Sequence, residues 1–254
     1  LLSEPPVSEE DPDADPGEGD DEPVFVPEHR FWQYKDREEV SQHKTEIRNE
    51  GVELSLTAVP VKSEDWTWSI TANAAYNFSN IHRIHPADMG GMTVGSSLVA
   101  TSNYEGFPVS SIVDEDGAVI GNPTPKWYGG LSTSLRWKDL TLDVLADGAA
   151  GHQILNLNQM YLNGATKVTG TYVENGDFFR IARVSLAYNI PVKNVKWMES
   201  LKVFATASNL AVFTSYNGWS PDVNSYAASN FRLGMDYGSY PAARSFVLGL
   251  SIKF

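Results

Sequence analysis

The chain of 254 residues is 42% hydrophobic and carries a formal charge of -13, from 32 acidic and 19 basic side chains. That balance argues against a nucleic-acid partner, because phosphate binding needs clustered lysine and arginine to displace counterions, and no basic stripe is present. With no cysteine neither a disulfide framework nor a thiolate metal site can form, and the absence of any long apolar run excludes a spanning helix.

At the start of the chain Leu1-Leu2 gives way at once to acids, a pattern unlike a secretory signal. Glu9, Glu10, Asp11, Asp13, Asp15, Glu18, Asp20, Asp21 and Glu22 crowd among prolines and glycines. Residues 1–45 therefore read as an acidic loop or flexible segment. Within it Asp11, Asp13, Asp15 and Glu22 fall at positions 1, 3, 5 and 12 of an EF-hand loop, which would make Ca2+ a cofactor. The match is incomplete, since Pro16 stands where the turn-making glycine belongs, Gly17 comes one residue late and no helical pattern flanks the loop. A solvated acidic loop is the simpler reading, and the rest of the sequence suggests no cofactor.

From residue 46 the informative feature is alternation of apolar and polar residues. A transmembrane barrel strand needs only about ten residues with every second one apolar, a signal that a mean hydropathy of -0.27 hides. Val52 to Val61 is the first such segment. The second sets Trp66, Trp68, Ile70, Ala72, Ala74, Tyr76 and Phe78 against Thr67, Ser69, Thr71, Asn73 and Asn77, with aromatics flanking small apolar residues as in the girdles of a lipid-facing strand. Trp127 to Trp137, Leu140 to Ala149, Phe178 to Ile190 and Leu201 to Phe213 follow. In the last of these either Leu201, Val203, Ala205 and Ala207 or Phe204 and Leu210 can face outward. The clearest segment closes the chain, where Phe246, Leu248, Leu250, Ile252 and Phe254 interleave with Ser245, Val247, Gly249, Ser251 and Lys253.

The connections alternate as well. Lys62 to Asp65, Lys138 to Asp139 and Val192 to Ser200 are short, while Ser79 to Lys126, Gly151 to Asp177 and Thr214 to Ala243 are long. Outer-membrane barrels pair short periplasmic turns with long extracellular loops. With Phe254 in the periplasm, the long loops and residues 1–45 fall outside the cell. The fold class expected is all-β, a transmembrane antiparallel β-barrel of which residues 46–254 supply about seven strands. An odd number of antiparallel strands cannot close alone, and an open edge would leave unpaired groups in lipid, so the rest of the barrel is expected elsewhere.

Toward the end of the chain stand Ser208-Asn209-Leu210, Tyr216-Asn217-Gly218-Trp219-Ser220-Pro221-Asp222-Val223-Asn224, and Gly234-Met235-Asp236-Tyr237-Gly238-Ser239-Tyr240-Pro241 leading into Arg244-Ser245-Phe246. In order and spacing these stretches resemble the C-terminal region of SusC/RagA-type TonB-dependent outer-membrane transporters. Upstream, Ile47 to Glu53, Gly121 to Lys126, Phe179-Arg180-Ile181 and Val184-Ser185-Leu186 are similar to further family landmarks. The resemblance implies a barrel of about 22 strands, an N-terminal plug, a segment engaging TonB and a SusD-like lipoprotein as partners. Its cargo would be an oligosaccharide or oligopeptide, and Phe254 an assembly signal. The acidic stretch before Val24 departs from the family pattern, as do Ala182 and Ala187, where larger or polar residues are expected.

The loop aromatics Tyr104, Phe107, Tyr161, Tyr216, Trp219, Tyr226, Tyr237 and Tyr240 are the candidate contacts to substrate or lid, although loop packing uses the same residues. Asp114 and Asp116 before Gly117 read as a polar turn, and His82 and His85 lack a third metal ligand. No Gly-x-Ser-x-Gly elbow is present, and Glu53, Asp143 and Asp147 read as lumen-facing strand positions rather than an acid/base pair, so no enzyme signal survives. Two rivals remain: a soluble all-β carbohydrate-binding or adhesive module, which needs an inner core, and a glycoside hydrolase, which needs two carboxylates across a cleft.

Overall fold

The computed structural model describes residues 45–85, 92–94, 98–192, 197–222, 225 and 233–254. The expectations for residues 1–44, including the calcium spacing of Asp11, Asp13, Asp15 and Glu22, and that for Tyr226 lie outside the described residues.

Seven long strands form one antiparallel sheet in which each pairs with the next in sequence. They are β1 (Glu46–Lys62), β2 (Trp66–Arg83), β3 (Trp127–Trp137), β4 (Leu140–Ala150), β5 (Phe178–Ile190), β6 (Ser200–Thr214) and β7 (Ser245–Lys253). All seven segments expected from alternation are strands. β1 starts earlier than Val52 and β2 continues past Phe78, because cross-strand pairing carries both beyond the alternating stretch.

The register turns the alternation of each strand into two continuous faces. Val61, Trp68, Leu135, Leu142, Leu186, Ala205 and Leu248 lie opposite one another in turn, an apolar row crossing the whole sheet. One residue along, Ser69, Ser134, Asp143, Ser185 and Thr206 make a polar row on the other face. Hydrogen bonds tie the polar face together, Thr57 to Thr71 at 3.1 Å and Ser185 to Thr206 at 2.9 Å. On the apolar face the hydroxyl of Thr133 accepts from the Trp68 indole at 2.9 Å and donates to the Ser69 carbonyl, so it is not left bare.

The facing of β6 is settled by its partners. Leu201, Val203, Ala205 and Ala207 sit opposite Ile252, Leu250, Leu248 and Phe246 and share the apolar face. Phe204 points to the polar side, where its ring covers Gly249 so closely that a Cβ there would collide with it. Ala187, opposite Phe204 on β5, is buried; a small residue suits the space beside that ring. Ala182 is the extra residue of a register shift against β4, while on β6 the two residues Asn209 and Leu210 face it, Asn209 with a positive φ of 53°. The Asn209 side chain donates to the Ala243 carbonyl at 3.0 Å, and asparagine tolerates this backbone better than most residues.

Large apolar side chains on this face stay open, with Leu54 68% and Leu248 79% exposed. A soluble sandwich would bury them against a second layer; a barrel wall presents them to lipid. Aromatic pairs mark both rims. Trp66 stacks on Trp137 at 5.5 Å and Trp197 on Phe254 at 6.3 Å at the short-turn end. Tyr76 meets Trp127 at 4.7 Å and Phe179 meets Phe213 at 6.3 Å at the long-loop end. Strands of the usual ~3.4 Å rise and ~40° tilt span about 20 Å between Trp68 and Tyr76 and about 30 Å between Trp66 and Phe78, which brackets an apolar band of about 25 Å.

Val144 lies near the middle of the apolar face. Val144→Arg in the intact barrel is expected to lower stability by roughly 2–4 kcal/mol, read as a lower urea midpoint, while Ser134→Arg on the polar face beside Asp143 leaves it nearly unchanged.

Candidate functional site

The three long loops do not hang free; they build a layer with its own core. Residues 84–126 contribute a small sheet of four short strands, 92–94, 98–102, 111–113 and 119–121. Asp114 makes the turn inside it, its side chain accepting from the amides of Asp116 and Ala118. Strands 153–156, 173–175 and 235–236 form a second sheet, drawn from two different loops. The helix α1 (Leu157–Leu162) starts at Asn156, whose side chain accepts from the Gln159 amide. Ala100, Ile112, Leu155, Leu157, Met160, Val168 and Met235 pack together with at most 1% exposure, so all three loops share one apolar core.

The loop aromatics divide within this layer. Tyr216 is buried and its hydroxyl donates to the wholly buried Asp236 at 2.7 Å. Burial, then that bond and the charges of Asp236 and Glu174, push its phenol far above the ordinary range. Gly218 lies against the Tyr216 ring, where a side chain would clash. Tyr216 thus acts as a strut between the two ends of the third loop. Tyr161 and Tyr237 meet at 5.4 Å and are half exposed. Trp219 and Tyr240 project freely, at 78% and 96% exposure. Phe107 is partly exposed and its carbonyl accepts from Ile81 on β2, while Tyr104 is half buried beside Gly117. His82 is exposed on β2 and His85 follows its end.

Under the layer, on the polar face at the long-loop end, a cavity of about 950 Å3 opens among Tyr128, Asp147, His152, Arg180, Asp222 and Tyr240. Its centre is Arg180 on β5. Nε and Nη2 donate to the two oxygens of Asp147 on β4 at 3.1 and 2.7 Å, and Nη1 donates to Asp222 of the third loop at 2.7 Å. The guanidinium also lies 5.7 Å from the Phe178 ring centre. Its planar fork suits a bidentate carboxylate and a second acceptor at once, joining two wall strands to the loop above.

His152, just beyond β4, is 6% exposed at its side chain, with Nδ1 4.0 Å from Asp177. Asp177 instead accepts the Gly151 amide at 2.7 Å. Burial holds the imidazole below its ordinary pKa of 6.5, against the opposing pull of Asp177 and Asp222. Glu53, Asp143 and Asp147 all face the polar side, as their strand positions imply. The cluster of His152, Arg180 and Asp222 is not apparent in the sequence, since Arg180 and Asp222 alone lie 42 residues apart and His152 precedes both. The available signal was a pair of opposite charges, Asp147 and Arg180, at lumen-facing positions of successive strands.

No family model matches the chain. It is similar to TonB-dependent receptor P3 of Formosa agariphila, 23% identical over 84% of this chain and 29% of that protein. TonB-dependent receptor P26 of the same organism is 28% identical over 63% of this chain and 20% of the relative. TonB-dependent receptor SusC of Bacteroides thetaiotaomicron is 21% identical over 85% and 27%. Among solved structures the RagAB peptide transporter superposes with a TM-score of 0.63 at 21% identity, over 83% of this chain and 30% of that one. The RagAB peptide importer in its closed-closed state gives 0.61 at 22% identity, over 82% and 30%. The chain spans less than a third of each of these relatives. The resemblance read from the motifs holds in sequence over most of the chain, and the fold is that of part of a TonB-dependent transporter barrel.

Because the folded imidazole has a depressed pKa, its contribution to stability is complete above pH 6.5 and is lost as pH falls below that value. Protection factors of the amides in residues 151–177, taken against the intrinsic exchange rate at each pH, are expected to fall between pH 6.5 and 5, a loss of at most about 1.4 kcal/mol per pH unit, and His152→Gln removes that pH dependence.

Proposed function

We propose that this chain is part of a TonB-dependent outer-membrane importer that takes up oligosaccharides or oligopeptides together with a SusD-like surface lipoprotein. The observation that carries the reading is the sheet itself, with one face apolar between two aromatic rims, the other polar, and every long loop at one end. Likeness to SusC and to the RagAB peptide transporter supports the same assignment. The chain would cross the outer membrane several times and carry out movement rather than bond chemistry. Its wall supplies paired backbone groups and a polar lumen; its loop layer faces the medium. Strands completing the barrel pair with the edges β1 and β7, and a plug engaged by TonB supplies the energy-coupled step.

The soluble binding-module alternative needs a layer over the apolar face, and among the described residues that face is open. A hydrolase needs two carboxylates across a cleft; Asp147 and Asp222 share the cavity, but both are engaged by Arg180.

Extraction from native outer membranes with mild detergent, purification through this chain and mass spectrometry of everything retained tests the reading. Recovery of further barrel and plug sequence and a surface lipoprotein is expected. A monomer that is soluble without detergent would overturn it.

A further inference from the structure

On the loop layer, away from the Arg180 cavity, a second hollow of about 360 Å3 lies between α1 and the turn after Tyr216, lined by Asn156, Asn158, Gln159, Leu162, Asn217 and Trp219. Trp219 is 78% and Leu162 81% exposed, so two apolar surfaces border the hollow without covering one another. The other four side chains are neutral carboxamides.

Their orientations follow from their partners. The carboxylate of Glu174 can only accept, and it takes hydrogen bonds from Asn156 Nδ2 at 2.9 Å and from the amide and Nδ2 of Asn217 at 2.8 and 2.9 Å. That fixes which end of each carboxamide points away from it, and the Asn217 side-chain carbonyl is left to accept. Asn158 Oδ1 receives the Gly238 amide at 2.8 Å, which leaves its NH2 to donate. Gln159 Nε2 donates to Asn163 at 3.3 Å, which leaves its carbonyl to accept. Behind them Asn156 caps α1, and the apolar core holds Leu157 and Met160 in place.

The hollow thus presents fixed donors and acceptors side by side, with no ionised group among its lining residues, beside an open indole face. A carboxylate ligand would leave the acceptors unmet, and an ammonium would leave the donor unmet. A hydroxyl satisfies both, since one oxygen donates and accepts. A volume near the lower end of the usual ~300–1,000 Å3 range suits one ring rather than an extended chain. We propose that this hollow binds one ring of a neutral saccharide, its C–H face against Trp219 and its hydroxyls on Asn158, Gln159 and Asn217. The site names a ligand class for the importer reading and rests on that reading for its exposure to the medium.

The test uses the detergent-extracted transporter with its co-purifying partners, labelled and applied to an array of neutral oligosaccharides. At least one neutral glycan is expected to be retained. Trp219→Ala should weaken that binding about ten-fold or more, Trp219→Phe should restore most of it, and Trp197→Ala, an exposed tryptophan at the short-turn end, should leave it unchanged. Retention of no neutral glycan, or equal binding by wild type and Trp219→Ala, overturns the proposal. So does loss of the co-purifying lipoprotein in Trp219→Ala with glycan binding intact, which would make the hollow a protein-docking face. Recovery of the barrel, plug and lipoprotein in the same preparation keeps the importer reading separate from the fate of this site.

Discussion

Pairing of the backbone is the constraint on which everything else rests. In a hydrocarbon layer no water competes for N–H and C=O groups, and each one left unpaired costs several kcal/mol. Here the ladders from β1 to β7 run without interruption across the apolar face, and the register shifts lie near strand ends or where Asn209 and Ala182 turn the chain. The same constraint acts on the edges. β1 and β7 each present a row of backbone groups with no strand beside it among the described residues, so the wall continues on both sides when it stands in a membrane.

Once the wall is a paired sheet, its two faces are free to differ. The lipid side needs only area and aromatic rims; the lumen side can carry charge because partners sit at fixed strand positions. Arg180 and Asp147 show how, since pairing of β5 with β4 sets them opposite each other and Asp222 then draws a loop to the same guanidinium. The loop layer obeys a different rule. Facing water, as the importer reading places it, it must bury its own apolar surface, and it does so by pooling residues from three loops. Tyr216 and Asp236 bind its last loop from within. A layer built this way gives Trp219, Tyr161 and Tyr237 a packed base.

The sequence made the wall legible and the loops opaque, for one physical reason. Strand alternation is local, so Trp66 to Phe78 or Phe246 to Phe254 discloses its face without reference to any neighbour. Even the ambiguous β6 yielded only when its partner β7 was placed. The small loop strands have two to five residues each, too few for any period to emerge. Their pairing joins residues as distant as Leu155 and Met235. The loop aromatics stand out in the sequence as a group, but periodicity cannot separate Tyr216, an internal strut, from Trp219, which projects. Burial separates them, and burial is a property of the assembled layer.

The most direct test of the central claim exploits the lack of native cysteine in this chain. Single cysteines placed in turn from Thr141 to Gly148 on β4, spin-labelled in the intact protein in lipid, would be probed with oxygen and with a water-soluble relaxation agent. Labels at Leu142, Val144 and Ala146 are expected to favour oxygen and those at Thr141, Asp143 and Asp147 the aqueous agent, with a period of two. Uniform access of the aqueous agent along the strand would contradict the membrane-wall account.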